Sequence, residues 1–199
     1  MITSTLIVLF AYLSGSISTA VWYGRIIHRV DIRNHGSGNA GATNSLRVLG
    51  KKAGIVVLIV DFLKGVLPIL LAKYLGFDEL VILLAGLAAV MGHLLPVFSN
   101  FQGGKGVATS MGVIVGIFPL GALACFSVFL IVVLLTKYVS LGSVLGAIAF
   151  PIAAALSPKV DSPLLIIFGI SLALLLAFTH RKNIERLLSG TESKLGKSA

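Results

Sequence analysis

VATSMGVIVGIFPLGALACFSVFLIVVLL, residues 107–135, is 29 residues long and carries no charge. A helix crosses a bilayer with about 20 residues, so the run is too long for one span and short for two complete ones. Pro119 and Gly121 interrupt it near the middle, which favours two short helices joined at an outer turn over one tilted helix. The division sets the parity of every later crossing, and with it the side on which the chain's basic tail emerges.

Outward from that run, the composition leaves little choice of class. The 199 residues are 57% hydrophobic and only 12% charged, with a mean hydropathy of +1.03, too little polar surface to wrap a soluble domain. The apolar runs lack the period-two alternation of barrel strands, so the expected fold is an all-α integral membrane protein. The predicted spans are about Thr3–Tyr23, Gly54–Leu75, Leu80–Phe98, the two halves of 107–135, Val144–Leu156 and Leu164–Phe178. Together they form a single bundle of about seven transmembrane helices in one domain, 1–199. No linker, low-complexity block or internal repeat divides it. Residues 3–24 read as a retained first span, because no basic residue precedes Arg25 and no cleavage signal follows.

Charge orients the bundle. Arg25, Arg29, Arg33, Arg47, Lys51 and Lys52 crowd the first connection, and Arg181, Lys182, Arg186, Lys194 and Lys197 the tail that begins at about 181. With seven spans, 13 Lys and Arg lie inside, two (Lys73 and Lys159) outside and one (Lys64) within a span. The N-terminus is therefore expected outside and the C-terminus in the cytoplasm. The net charge of +9 is accounted for by topology, and no aromatic-interleaved basic stripe suggests nucleic acid. Cys125, the only cysteine, lies in an apolar run, which excludes disulfides and thiolate metal sites.

Three polar segments interrupt the lipid-soluble chain, all on the expected cytoplasmic side. Gly36 to Arg47 alternates small residues with donors, among them Ser37, Asn39, Thr43, Asn44 and Arg47, so backbone can approach a ligand closely. In Gln102-Gly103-Gly104-Lys105-Gly106, the glycines let N–H groups converge on an oxyanion, Lys105 adds a positive charge, and Val107 opens a helix with a partly positive end. It is not a nucleotide P-loop, since Lys105 is followed by Gly106 and not by Ser or Thr. The third segment, His180 to Leu188, has helical spacing that sets His180 and Asn183 one turn apart.

Asp61 and Lys64, one turn apart inside the second span, read as a structural ion pair supporting the site. Ser140 and Ser143, at the start of the sixth span, add hydroxyls. The chain has no G-x-S-x-G elbow, no H-E-x-x-H metal site and no His followed five residues on by Asp, so anion holding is better provided for than covalent catalysis. A transporter of a phosphorylated or anionic metabolite is the rival reading, because glycine breaks around an anion site also occur there. Sidedness argues against it, as does the shortness of the outer turns. A purely structural membrane subunit leaves the three donor-rich segments without a use.

These residues, in order and at these separations, resemble the bacterial acyl-phosphate:glycerol-3-phosphate acyltransferases of the PlsY family. The likeness runs from Gly15-Ser16 to Thr191-Glu192. It rests on Gly36-Ser37-Gly38-Asn39 through Thr43-Asn44 to Arg47, Asp61-Phe62-Leu63-Lys64-Gly65, Gly92-His93, Gly103-Gly104-Lys105-Gly106-Val107-Ala108-Thr109, and His180-Arg181 with Asn183-Ile184. Ser16-Ile17-Ser18 departs from the family, which usually has Pro or Thr at the third position. The resemblance implies seven helices in the bacterial inner membrane and acyl transfer from acyl phosphate to the sn-1 hydroxyl of glycerol 3-phosphate, the first step of phospholipid synthesis. It implies no cofactor or metal, and leaves room for transient contact with a soluble acyl-phosphate-producing enzyme. Chemistry agrees with it, because an acyl phosphate is a mixed anhydride that needs orientation and oxyanion stabilisation and no enzyme nucleophile. The expected catalytic residues are His180, Asn183, Lys105 and Ser37. Asn39, Thr43, Asn44, Arg47, Gly103, Gly104, Gly106, Ser140 and Ser143 would bind substrate. Lys105, Arg47, Thr43, Ser143, His180 and Asn183 would hold the phosphate of glycerol 3-phosphate, and Ser37, Asn39 and the 103–106 backbone the acyl phosphate.

Overall fold

The computed structural model describes residues 1–196, and among them every regular element is helical. The helices are α1 (Ile2–Gly15), α2 (Thr19–Ile27), α3 (Ala42–Leu49), α4 (Lys51–Tyr74), α5 (Glu79–Leu94), α6 (Val107–Ile117), α7 (Pro119–Thr136), α8 (Val139–Leu156), α9 (Pro163–Thr179) and α10 (Arg181–Leu188). Three of them, α4, α7 and α8, are long and apolar enough to cross a bilayer alone, as is α5 when carried on to Ser99, and α1–α2 and α9–α10 bring the number to six when each bent pair counts as one. The seventh apolar helix is α6, at 11 residues. Large apolar side chains such as Leu70, Leu123, Ile131, Leu134, Ile167 and Leu174 stand exposed, as lipid-facing residues must. The protein is an all-helical integral membrane protein.

The 107–135 run divides as its Pro119 suggests, with that proline at the first position of α7, where a missing N–H costs nothing. The same point separates two compact units, Met1–Ile117 and Phe118 onward. Within the first unit, α1 packs on α5 and α4 on α6. Both contacts are backbone to backbone: a Cβ on Gly15 would strike the Ala89 carbonyl and one on Gly92 the Tyr12 carbonyl, while Gly65 meets the Thr109 carbonyl and Gly112 that of Phe62. In lipid there is no hydrophobic drive between helices, so such small-residue seams supply the attraction through close packing. In the second unit α8 packs between α7 and α9, where Phe150 meets Phe168 edge-on at 6.4 Å and the missing side chain of Gly169 makes room for its ring.

One expected span is corrected. Thr3–Tyr23 is not a continuous helix, since α1 ends at Gly15, α2 begins at Thr19, and the two are bent by 42°. The interruption falls on Ser16-Ile17-Ser18, the tripeptide that departs from the family pattern. Buried irregular backbone must find partners inside the protein, and α4 supplies them. Lys64 Nζ donates to the Ile17 carbonyl at 2.8 Å, and Thr19 Oγ1 donates to Asp61 Oδ1 at 3.0 Å. Asp61 and Lys64 are 2.9 Å apart and almost wholly buried, the structural ion pair that their spacing predicts.

Candidate active site

The chain between α2 and α3 is irregular, yet tightly held. Ile32 and Ala40 anchor it in a small apolar cluster with Ala20, Val21 and Val57. Asn44, 1% exposed on α3, uses its amide on the loop: Nδ2 donates to the carbonyls of Ile32 (3.2 Å) and His35 (3.0 Å), and Oδ1 accepts the Ser37 N–H at 2.9 Å. Gly36 sits at φ +59° with Asn44 Oδ1 where a Cβ would be, a position closed to other residues twice over. Asn44, expected to touch substrate, is thus engaged in shaping the loop that presents Ser37. Ser37 itself is exposed and Asn39 half-buried. Thr43 and Arg47 stand exposed four residues apart, on one face of α3.

The glycine-rich loop lies directly against this one. Gly104 N–H donates to the His93 carbonyl at 3.2 Å, and a Cβ on Gly104 would fall 2.6 Å from the Ala40 carbonyl and collide with His93 Nε2. Gly103 is equally confined, by the His93 and Leu94 carbonyls. Gly106, at φ +86°, turns the chain into α6, leaving half-buried Lys105 at the mouth of that helix. The two glycine segments, more than 50 residues apart in sequence, are neighbours because nothing larger separates them.

A further contact ties them, through Arg33 and Arg25, which sequence reading assigned only to topology, and through Asp31, which it passed over. Arg33 forks onto Asp31, Nε to Oδ1 at 3.0 Å and Nη2 to Oδ2 at 2.7 Å, and its Nη1 donates to the Ser99 carbonyl at 3.0 Å in the segment that leads to the glycine loop. Arg25 adds a 2.8 Å pair to the same carboxylate. The hydrogen bonds from Arg33 hold the Asp31 carboxyl well below the usual carboxylate range, against the opposing effect of burial.

In the second unit, α9 stops at Thr179 and α10 leaves at 63°, with His180 in the corner and 3% exposed. Its Nδ1 lies 2.8 Å from the Leu176 carbonyl. A carbonyl only accepts, so Nδ1 carries a proton. Asn183 Nδ2 donates to Glu192 Oε1 at 2.7 Å, Ser140 Oγ donates to the same oxygen at 2.7 Å, and Arg186 Nε pairs with Oε2 at 2.7 Å. Ser143 donates to Val139 O, its own helix, at 2.8 Å. Glu192 therefore gathers α8, α10 and the tail around one carboxylate, a role that nothing in its sequence position, one of two acids in a basic segment, gives away. Burial opposes its ionisation, yet the hydrogen bonds from Asn183, Ser140 and Arg186 win and its pKa is lowered. The tail is fastened as well, with Leu195 N–H donating to the Lys137 carbonyl at 2.8 Å and the Lys194 ammonium over the Tyr138 ring at 5.3 Å.

Among the described residues no group of three or more His, Cys, Asp or Glu is placed to hold a metal ion. The elements define a membrane-embedded helical protein in which two glycine-rich loops meet. Comparison with known proteins names the class further. The model of a family described as glycerol-3-phosphate acyltransferase matches residues 5–190. The glycerol-3-phosphate acyltransferase of Thermoanaerobacter sp. (strain X514) is 48% identical over 193 residues, 97% of this chain and 96% of that one. The one from Finegoldia magna is 50% identical over 190 residues, 94% and 93% of the two chains. Among solved structures, the glycerol 3-phosphate form of PlsY, an integral membrane glycerol 3-phosphate acyltransferase, matches at a TM-score of 0.89 and 43% identity, over 98% of this chain and 96% of that one. Its lysophosphatidic acid form matches at 0.86 and 42%, with the same coverage. The chain belongs to the glycerol-3-phosphate acyltransferase family, and the transporter reading is set aside.

Proposed function

We propose that the protein moves a fatty acyl chain from acyl phosphate to the sn-1 hydroxyl of glycerol 3-phosphate, giving 1-acylglycerol 3-phosphate and inorganic phosphate. Residues 1–199 work as one polytopic domain of the bacterial inner membrane, with the N-terminus outside, the C-terminus in the cytoplasm and the chemistry on the cytoplasmic face. The observation that carries the reading is the apposition of the 36–41 and 103–106 loops, with exposed Thr43 and Arg47 following on α3, in a chain whose helices expose large apolar side chains.

Roles are assigned within each unit. In the first, Lys105, Arg47 and Thr43 are phosphate ligands, the 103–106 backbone and Ser37 receive the acyl phosphate and the oxyanion, and Asn44 orients Ser37 from behind. Asn39 borders the same loop. In the second, His180 and Asn183 meet glycerol 3-phosphate, Ser143 lies one helical turn beyond Ser140, and Ser140 positions Asn183 through Glu192. The hydroxyl oxygen attacks the acyl carbon, the bond from that carbon to the phosphate oxygen breaks, and phosphate leaves with the electron pair. The proton passes to His180 Nε2 or to a substrate phosphate oxygen.

The deciding assay offers labelled glycerol 3-phosphate to the detergent-solubilised protein with acyl phosphate, acyl-CoA or acyl-carrier protein in turn. Product from acyl phosphate alone is expected, and an acyl-CoA-dependent product would overturn the donor. In the same assay, near-normal turnover by His180→Gln assigns the proton to phosphate, and a loss of about a hundredfold or more assigns it to the imidazole.

A further inference from the structure

We propose that His93 is a positioning residue, seated between the buried Asp61–Lys64 pair and the glycine-rich loop so that the pair sets the height of the loop backbone. The inference deepens the reading above and rests on it for the loop's role as a phosphate holder.

The geometry isolates one side chain as the link. His93 ends α5 and is 6% exposed. On one side its Nδ1 faces Asp61 Oδ1 at 3.8 Å, the oxygen that also receives Thr19 and Lys64. On the other its Nε2 edge lies where the Cβ of any residue but glycine at 104 would be, and its carbonyl takes the Gly104 N–H. Gly92, just before it, lets α5 close onto α1 beside Ser16. Neither Gly103 nor Gly104 can settle lower without meeting the imidazole or its carbonyl, and the Ala40 carbonyl closes the other side.

The requirement is for shape and for a polar edge together. An aliphatic residue of similar volume would support Gly104 while turning an apolar face to a buried carboxylate, which would draw away from it and carry the ring's support with it. Asparagine keeps an N–H near the place of Nδ1 and is shorter toward Gly104. A shift of a few tenths of an ångström in a loop whose converging N–H groups receive the acyl phosphate and the oxyanion weakens binding and slows the chemical step together.

The test compares His93→Leu, His93→Asn and Gly104→Ala in the full-length, detergent-solubilised chain, with thermal unfolding, steady-state kinetics and hydrogen exchange of the 100–107 peptide. His93→Leu is expected to raise KM for acyl phosphate and to lower kcat, about tenfold together in kcat/KM, and to speed exchange in the peptide. His93→Asn should recover most of both losses. Gly104→Ala, whose Cβ drives against the same imidazole from the loop side, should reproduce the KM rise and the faster exchange. Unchanged exchange and KM in His93→Leu would overturn the inference. So would equal losses in the Leu and Asn variants that follow unfolding temperature alone, since that is plain core damage. If the wild type itself neither binds nor turns over glycerol 3-phosphate, the proposed function fails, and the exchange data still decide the role of His93.

Discussion

Glu192 shows how much one side chain can organise. Three donors from Ser140, Asn183 and Arg186 converge on its carboxylate, which is 7% exposed. Two consequences follow from the chemistry of a buried, satisfied anion. Glu192→Ala strands three donors and should lower stability by about 2–4 kcal/mol, whereas Glu192→Gln keeps acceptor capacity at one atom and should cost about half as much; thermal unfolding in detergent separates them. The pH dependence has a definite sign. Because the folded-state pKa lies below the unfolded value, the unfolded chain binds the proton more readily, so the stabilisation is present above about pH 4.5 and is lost as pH falls through the folded pKa. The unfolding temperature of the wild type should fall in that range more steeply than that of Glu192→Gln, and equal slopes would refute the assignment. Sequence reading could name Asn183 and Ser140 as polar residues near the membrane surface, but not their shared partner. The carboxylate that joins them lies 52 residues beyond Ser140, and no spacing rule connects the two.

At the scale of elements, the first span shows where pattern reading stops. Residues 3–23 are apolar enough for a continuous helix, and nothing local forbids one at Ser16-Ile17-Ser18. The break exists because Lys64, 47 residues away, holds the Ile17 carbonyl while Asp61 holds the Thr19 hydroxyl. By contrast, Pro119 removes an N–H wherever the rest of the chain lies, so the division between α6 and α7 was legible from the sequence, as were the glycines of 103–106 and the pairing of Asp61 with Lys64. The contact between those glycines and the 36–41 loop was not, because it depends on the packing of α5 and α6. The pair also makes a quantitative prediction. Removing either partner alone, as Asp61→Leu or Lys64→Met, leaves a buried charge with too few partners and should cost about 3–5 kcal/mol. The double variant Asp61→Leu, Lys64→Met removes both charges and should cost less than the sum of the singles, its remaining loss being the Ile17 carbonyl and Thr19 hydroxyl left at the break. Strict additivity, read from the unfolding temperatures of the three variants, would show that the two charges do not act on each other.

For the whole molecule the question is which way the chain threads the bilayer, and charge answers it through parity. Thirteen of 16 Lys and Arg fall on one side only if the 107–135 run crosses twice; a single crossing would put the tail with Arg181, Lys182 and Arg186 outside. Retaining cationic residues in the cytoplasm is the stronger determinant of orientation, so the double crossing is expected. Cysteine labelling tests it directly, because Cys125 is the only native thiol and is buried in α7. In a Cys125→Ala background, single cysteines at the exposed positions Lys51, Tyr74, Lys159 and Lys182 bracket the disputed run. A membrane-impermeant maleimide applied to intact cells should label 74 and 159, and reach 51 and 182 only after permeabilisation. If 107–135 crossed once, 51 and 74 would keep their sides while 159 and 182 exchanged theirs. Because only the two later positions change between the alternatives, the earlier pair serves as an internal control, and the result fixes at once the orientation of the termini and the cytoplasmic location proposed for the chemistry.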